Sequence, residues 1–155
     1  AVRVSVRAAQ PVTFALHVRL PWWLSAAPTV AVNGARQDVP HAPTSFVALQ
    51  RTWHEDEVYI ALPKRPYTCP LPDAPEMVAF MDGPVVLAGL CDEEITLCGD
   101  PAHPEAILTP DNEREWAYWR YDYRTRGQPR NIRFTPLHEV VDERYTVYFP
   151  LRERA

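Results

Sequence analysis

The chain has 155 residues, of which 46% are hydrophobic and 23% charged, and its formal net charge at pH 7 is −4. This composition is typical of a globular protein with a buried core and excludes a disordered or fibrous chain. The negative charge offers no general attraction for nucleic acid or an anionic membrane, and no apolar run reaches the roughly 20 residues of a membrane-spanning helix.

The first ten residues, AVRVSVRAAQ, contain neither an initiator Met nor the apolar segment of a secretion signal. We therefore expect the sequence to be a piece of a longer protein. Its compartment, bacterial cytoplasm or outside the cell, stays open at this stage.

Proline is unusually frequent, with 17 Pro against 5 Gly. Because Pro is excluded from helix interiors and from central strands, these residues are expected at turns, edges and strand ends. The sequence therefore predicts many short elements, and strands more than helices.

Alternating apolar and polar residues predict half-buried strands along the first 90 residues. Residues 2–7 alternate, and a second run at 12–20 follows Pro11 and places His17 on a solvent face. Asn33-Gly34 supplies the two positive φ angles that a type I′ hairpin turn requires. Further strands are expected at 45–51, 57–62, 77–81 and 84–90, with an irregular Pro-rich loop at 63–75.

The second half of the chain is less regular. Residues 92–115 are acidic and weakly periodic, which predicts a long excursion or an edge region. The aromatic run at 116–127 changes its alternation by one residue, which indicates a β-bulge. Closing strands are expected at 131–137 and 145–149.

Taken together, these patterns predict an all-β fold: a β-sandwich, jelly-roll-like, with about ten short antiparallel strands and long Pro-rich loops. We expect residues 1–155 to form a single domain. The change of texture near Cys91 indicates a subdivision into main sandwich strands at 1–91 and an irregular excursion with closing strands at 92–155.

Carboxylate pairs are the first candidates for catalysis. Glu55 with Glu57, and Glu113 with Glu115, would lie roughly 7 Å apart on one strand face, which is within the range that glycosidases use. Such pairs are also common on solvated strand faces. The sequence contains neither the G-x-S-x-G elbow nor the H-E-x-x-H motif. We therefore predict no catalytic residue.

Three cysteines, Cys69, Cys91 and Cys98, are an odd number and do not form a disulfide framework. The six residues between Cys91 and Cys98 match no standard zinc spacing. We expect buried free thiols, and we predict no metal site and no cofactor.

Aromatic side chains are the candidates for a binding surface, because sugar rings stack on exposed Trp and Tyr. The candidates for carbohydrate or inter-domain contact are Trp22, Trp23, Trp53, Trp116, Trp119 and Tyr121. The alternative to sugar is packing against another domain, which we favour. Arginines interleave with the aromatic residues between 114 and 133, but nearby acidic residues and the net charge argue against nucleic acid.

Four segments and a closing strand occur in a specific order: FALHVRLPWW (14–23), TVAVNG (29–34), RTWHEDEVYIALP (51–63), AFMDGPVVLAGL (79–90) and ERYTVYF (143–149). Together they resemble the C-terminal β-sandwich region that follows the catalytic barrel in the glycoside hydrolase family 127 group, which includes β-L-arabinofuranosidases. Where that family tends to have Gly-Asp after Arg-x-Trp, this chain has Glu55-Asp56.

The resemblance implies a non-catalytic accessory domain of a larger glycosidase. The family's glutamate acid/base and zinc-bound cysteine nucleophile lie in an (α/α)₆ barrel, which would precede Ala1, and no cysteine of this chain matches those positions. The implied partner is the N-terminal catalytic barrel of the parent chain, with a glycan and a homodimer through the parent as further expectations.

Two other functions compete with this interpretation. One is a carbohydrate-binding module that uses the exposed aromatic residues. The other is an independent hydrolase that uses Glu113 and Glu115.

Overall fold

The structure is a computed structural model that describes residues 1–40, 42–111, 113–115 and 118–153. The described residues form fifteen β-strands and two short 3₁₀ helices, so the predicted all-β class is confirmed. Within these ranges no helix is long and apolar enough to cross a membrane. The chain divides into two compact units, Ala1–Arg65 and Pro66–Ala155.

The first unit contains one antiparallel four-stranded sheet in the order β1-β4-β2-β3. Its strands are β1 (Val2–Leu20), β2 (Thr29–Val32), β3 (Ala35–Gln37) and β4 (Ser45–Ala61). β1 and β4 pair along most of their length, with a register shift between Arg7 and Val12.

The prediction of short elements is wrong for β1 and β4, which are long strands. The runs expected at 2–7 and 12–20 are one strand, because Pro11 lies within the register shift, where a bulge needs no ladder N–H from it. The runs at 45–51 and 57–62 are also one strand, since β4 continues through Trp53 without a turn.

Trp53 is fully buried in the core of the first unit. Its ring stacks on Phe14 with 5.6 Å between the ring centroids, its indole N–H donates to the Phe14 carbonyl oxygen at 2.9 Å, and the Arg51 guanidinium lies 5.2 Å from its ring centroid. The other buried members of this core are Val18, Leu20, Leu24, Val30, Val32, Val39, Val58 and Ile60. Trp53 therefore holds the middle of β4 against β1.

The hairpin between β2 and β3 turns at Asn33-Gly34, as predicted, with φ angles of 50° and 79°. The Asn33 side-chain amide donates to Asp56 Oδ1 at 2.7 Å, and the Glu57 amide donates to Asn33 Oδ1 at 2.8 Å. Asp56 also accepts from the His54 amide at 2.8 Å and pairs with Arg51 at 3.2 Å. This network fastens the hairpin turn to β4.

The second unit contains a nine-stranded sheet and a separate pair of short strands. The sheet runs in the order β8-β15-β6-β7-β13-β12-β9, while β14 pairs with β7 and β5 pairs with β6. The strands are β5 (Pro66–Leu71), β6 (Ala74–Asp82), β7 (Val85–Leu90), β8 (Leu97–Cys98), β9 (Leu108–Pro110), β10 (Glu113–Glu115), β11 (Tyr118–Arg120), β12 (Tyr123–Thr125), β13 (Arg133–Pro136), β14 (Tyr145–Thr146) and β15 (Tyr148–Arg152). The 3₁₀ helices are Pro104–Ala106 and Leu137–Glu139.

The predicted loop at 63–75 differs in the structure, because it contains the edge strand β5. Among the described strands β5 pairs only with β6, so it tolerates Pro66 and Pro70. The two compact units are divided after residue 65, and β7 pairs with β13 and β14, which follow later in the chain. The subdivision after residue 91 stays a prediction. The bulge predicted in the aromatic run involves residues 116 and 117, which lie outside the described residues.

Three phenylalanines form the centre of the second unit's core. Phe80, Phe134 and Phe149 are fully buried, and the ring centroids of Phe134 and Phe149 are 5.0 Å apart. Gly89 lies directly beneath these rings: a Cβ atom there would be 2.3 Å from Phe149 Cζ and 3.0 Å from Phe134 Cζ. The absence of a side chain at Gly89 therefore lets the aromatic rings reach the sheet.

Gly89→Ala is expected to lower the free energy of unfolding by about 1–3 kcal/mol, because the added methyl group overpacks the core. Urea unfolding of the 155-residue chain measures the change. Phe149→Leu should recover part of the loss when combined with Gly89→Ala in a double-mutant cycle. Val141→Ala, at an exposed position of the same unit, is the control. An unchanged urea midpoint for Gly89→Ala would contradict this packing.

The Asn33–Asp56 network predicts a dependence of stability on pH. The hydrogen bonds from His54 and Asn33, with the Arg51 charge, hold the pKa of Asp56 below its ordinary value of 3.8. Because the folded-state pKa is the lower one, Asp56 stabilises the fold above about pH 3.8, and this contribution is lost as the pH falls through the folded-state value.

Asp56→Asn should therefore be less stable than the parent sequence at pH 7, and the difference should shrink towards pH 2. Urea midpoints measured between pH 7 and pH 2 test this, with Glu55→Gln, an exposed neighbour, as the matched control. A difference for Asp56→Asn that is equally large at both ends of the range would show that its charge contributes nothing.

Candidate functional site

The second unit has a surface groove where β6 and β7 separate. These strands pair at residues 80–82 of β6, next to their hairpin turn. Further along, β7 pairs with β14 at residues 89–90, and β6 pairs with β15 at residues 77–79. The chain crosses from β7 to β6 at Val147, between β14 and β15. The groove therefore lies where β6 and β7 diverge and the segment that contains β14 and β15 enters between them.

Two tyrosines line the groove, which has a volume of about 660 Å³. Tyr145 is 48% exposed and Tyr148 is 42% exposed, so both rings are accessible to a ligand. Met77 and Ile95 add apolar surface to the lining. We call this feature the Tyr145–Tyr148 groove.

The groove wall is acidic. Asp92, Glu93, Glu94 and Glu143 line it, together with Arg144. Arg130 pairs with Glu93 and lies 3.9 Å from Asp92. Glu143 Oε2 accepts hydrogen bonds from the Val141 and Asp142 amides at 3.1 and 3.2 Å. Three of the four carboxylates are thus oriented by neighbouring donors.

Cys91 contributes a thiol to the same groove. Burial raises the pKa of this thiol above its ordinary value of 9.0. Since the thiolate is the nucleophile and the metal ligand, Cys91 is poorly suited to either role. Its sulfur lies 3.6 Å from the Gly89 carbonyl oxygen, as in a thiol that packs within the sheet. Cys98 is also partly buried, whereas Cys69 is exposed and departs from the expectation of three buried thiols.

The aromatic residues selected from the sequence do not form one site. Trp53 is buried in the core of the first unit and cannot contact a sugar or another domain, which corrects its selection. Trp23 is partly buried against the same core, whereas Trp22 is exposed. In the second unit Tyr121 is exposed.

The other two selected tryptophans lie in the aromatic run of the second unit. The structure places Trp119 in β11, where it pairs with Arg114 of β10. Trp116 lies outside the described residues.

Sequence reasoning missed Tyr145 and Tyr148 as a pair. Side chains alternate between the two faces of a strand, so residues three apart on one continuous strand are expected on opposite faces. The strand break at Val147 brings both into the same groove. The signal that could have found them is the change of partner strand, from β7 for Tyr145 to β6 for Tyr148. This change depends on distant strands and is not visible in a local sequence pattern.

The two buried carboxylates of the second unit have different partners. The Asp122 carboxylate accepts a hydrogen bond from Arg133 Nε at 2.8 Å. Asp82 is hydrogen-bonded to Tyr123, whose pKa is raised by burial first and by Asp82 second. Each of the two carboxylates is thus engaged with a different side chain, Asp122 with Arg133 and Asp82 with Tyr123.

The carboxylates considered for catalysis lie in different units. Glu55 and Glu57 are exposed on β4, and Glu57 lies 3.8 Å from Arg3. Glu113 and Glu115 pair through the backbone of β10 with β11, and the proposal of catalysis by these two stays a prediction. Among the residues that the structure describes, no group of three or more His, Cys, Asp or Glu side chains is placed to hold a metal ion.

Comparison with known proteins identifies relatives of this region. Residues 1–64 match the model of the β-L-arabinofuranosidase GH127 middle domain. No curated protein sequence matches the chain. A solved structure described as a glycoside hydrolase superposes with a TM-score of 0.67 and 17% identity, over 96% of this chain and 30% of that one. A solved GH127 β-arabinofuranosidase gives 0.67 and 15%, over 97% of this chain and 29% of that one.

The chain thus spans about 30% of the length of the first solved structure that it matches. At this level of identity the structural likeness is one of fold, and it extends over both units. The family match places residues 1–64 in a middle domain, whereas the sequence motifs indicated a C-terminal region. The resemblance to the glycoside hydrolase family 127 group that those motifs predicted is confirmed for residues 1–64, which match the middle domain of that group.

Proposed function

We propose that this chain is a non-catalytic accessory region of a larger glycosidase and that its first unit packs against the catalytic barrel of that parent protein. The family match and the greater length of both solved relatives support a parent glycoside hydrolase. The β-L-arabinofuranosidase family to which residues 1–64 are similar suggests β-L-arabinofuranosides as the parent's substrates. A homodimer through the parent stays a prediction.

One observation carries the packing proposal: the apolar face of β1 is only partly covered. Val12, Phe14, Leu16, Val18 and Leu20 alternate along one face of the strand, in register with β4. Val18 and Leu20 are buried, whereas Val12 is 45% and Phe14 is 37% exposed. The apolar row of β1 is therefore buried within the first unit at its Val18–Leu20 end and exposed at its Val12–Phe14 end.

A continuous apolar row with one uncovered end is typical of a contact surface, while single exposed apolar residues are ordinary. Covering the exposed half of a valine would stabilise the contact by about 1 kcal/mol. Phe14 adds an aromatic ring next to Val12, and this ring stacks on the buried ring of Trp53. We therefore assign the Val12–Phe14 end of β1 to the contact with the barrel.

The proposal that the region is non-catalytic rests on its carboxylates. Glu55 and Glu57 are solvated, and the buried Asp122 and Asp82 are already engaged with Arg133 and Tyr123. A glycosidase needs two carboxyl groups that face the same bond, about 5–10 Å apart. The pair Glu55 and Glu57 is exposed, and Asp82 and Asp122 already have other partners, so neither pair supplies a buried acid that is free to act on a substrate.

Val12→Ser is expected to cost about 1 kcal/mol more local stability in the parent protein than in the 155-residue chain, because only the parent covers this side chain fully. Hydrogen exchange of the β1 and β4 backbone amides measures the local unfolding free energy in both proteins.

The matched control is Phe46→Ser, since Phe46 is exposed and pairs with Arg19, on the opposite face from Val12. Its cost should be equal in the two proteins. An equal cost of Val12→Ser in both proteins, or an excess cost for Phe46→Ser alone, would refute packing through the Val12–Phe14 end.

A further inference from the structure

We infer that the Tyr145–Tyr148 groove of the second unit binds a neutral oligosaccharide. The inference rests on the proposed function, because it gives a glycosidase accessory region a sugar contact of its own. It differs from the carbohydrate platforms expected from the sequence, which use tryptophans and Tyr121.

The two tyrosines supply the stacking surface. Each tyrosine is nearly half exposed and lines the groove. A partly buried ring is already restricted in its rotamers, so little side-chain entropy remains to be lost when a ligand stacks on it. Tyr also presents a hydroxyl group that can donate to or accept from a sugar hydroxyl.

The backbone positions these rings together. Tyr145 belongs to β14, which is paired with β7, and Tyr148 belongs to β15, which is paired with β6. The Cys91 amide further donates to the Arg144 carbonyl oxygen at 3.1 Å, next to Tyr145. Both tyrosines thus stand on hydrogen-bonded strands of the same sheet, and rigid elements make more precise binding sites than loops.

The charges of the groove select the class of ligand. Carboxylates accept strong hydrogen bonds from hydroxyl groups, and Glu93 and Glu143 are held in place by Arg130 and by backbone amides. The excess of negative charge repels uronic acids and phosphorylated sugars. A cationic ligand would be attracted, but Arg130 already partly neutralises Asp92 and Glu93. A neutral polyhydroxylated chain fits both the aromatic and the acidic surface.

Isothermal titration of the 155-residue chain tests the inference with three probes: a neutral arabino-oligosaccharide, an oligogalacturonate and spermine. We expect saturable binding of the neutral probe only. Tyr145→Ala and Tyr148→Ala should each weaken this binding by roughly three- to tenfold, and Tyr148→Phe by less, because it keeps the stacking ring.

Tyr121→Ala is the matched control, since Tyr121 is an exposed tyrosine of the same unit outside the groove lining. Urea unfolding of each variant establishes that the exposed substitutions leave the fold intact. Binding of spermine in place of the neutral probe, no binding of the neutral probe, or a loss of binding in Tyr121→Ala but not in Tyr145→Ala would each overturn the inference.

The outcome is separable from that of the packing proposal. Val12→Ser should leave oligosaccharide binding unchanged, because Val12 belongs to the first unit. If the groove binds no sugar, the present inference is wrong. If Val12→Ser still lowers the local unfolding free energy more in the parent than in the 155-residue chain, the accessory role is nevertheless supported.

Discussion

The pairing of β1 with β4 is the constraint on which the first unit depends. These two strands are far apart in sequence, and they align over two stretches separated by a register shift between Arg7 and Val12. Trp53 fixes the alignment at the shift, since its indole N–H bonds to the Phe14 carbonyl oxygen and its ring stacks on the Phe14 side chain. The hairpin turn at Asn33 is then fastened to β4 through Asp56. The uncovered end of the β1 face lies at this same place.

In the second unit the main structural feature is the separation of β6 from β7. Gly89 has no side chain, so Phe149 and Phe134 pack against the backbone of β7. The same strand, beyond its pairing with β6, supports β14. The Tyr145–Tyr148 groove lies where β7 and β6 no longer pair with each other and pair with β14 and β15 instead.

The sequence alone was sufficient for the all-β class, the Asn33-Gly34 hairpin and the family, because each depends on local patterns or on short motifs in order. It was insufficient where distant pairing decides. Pro11 in a bulge has the same local signature as a proline that ends a strand, so one long strand was predicted as two. Trp53 was selected as one of the aromatic residues, and its burial was not visible in the sequence because its neighbour across the sheet, Val12, lies far away in the chain. The two groove tyrosines were missed for the same reason.

We propose that the Val12–Phe14 end of β1 is covered by the remainder of a parent glycosidase. Hydroxyl-radical footprinting with mass spectrometry, applied to the parent protein and to the 155-residue chain, tests this coverage by comparing the oxidation of Phe14. Phe14 should be protected in the parent and reactive in the isolated chain, while Tyr145 and Tyr148 should react in both. Equal oxidation of Phe14 in the two proteins would contradict it.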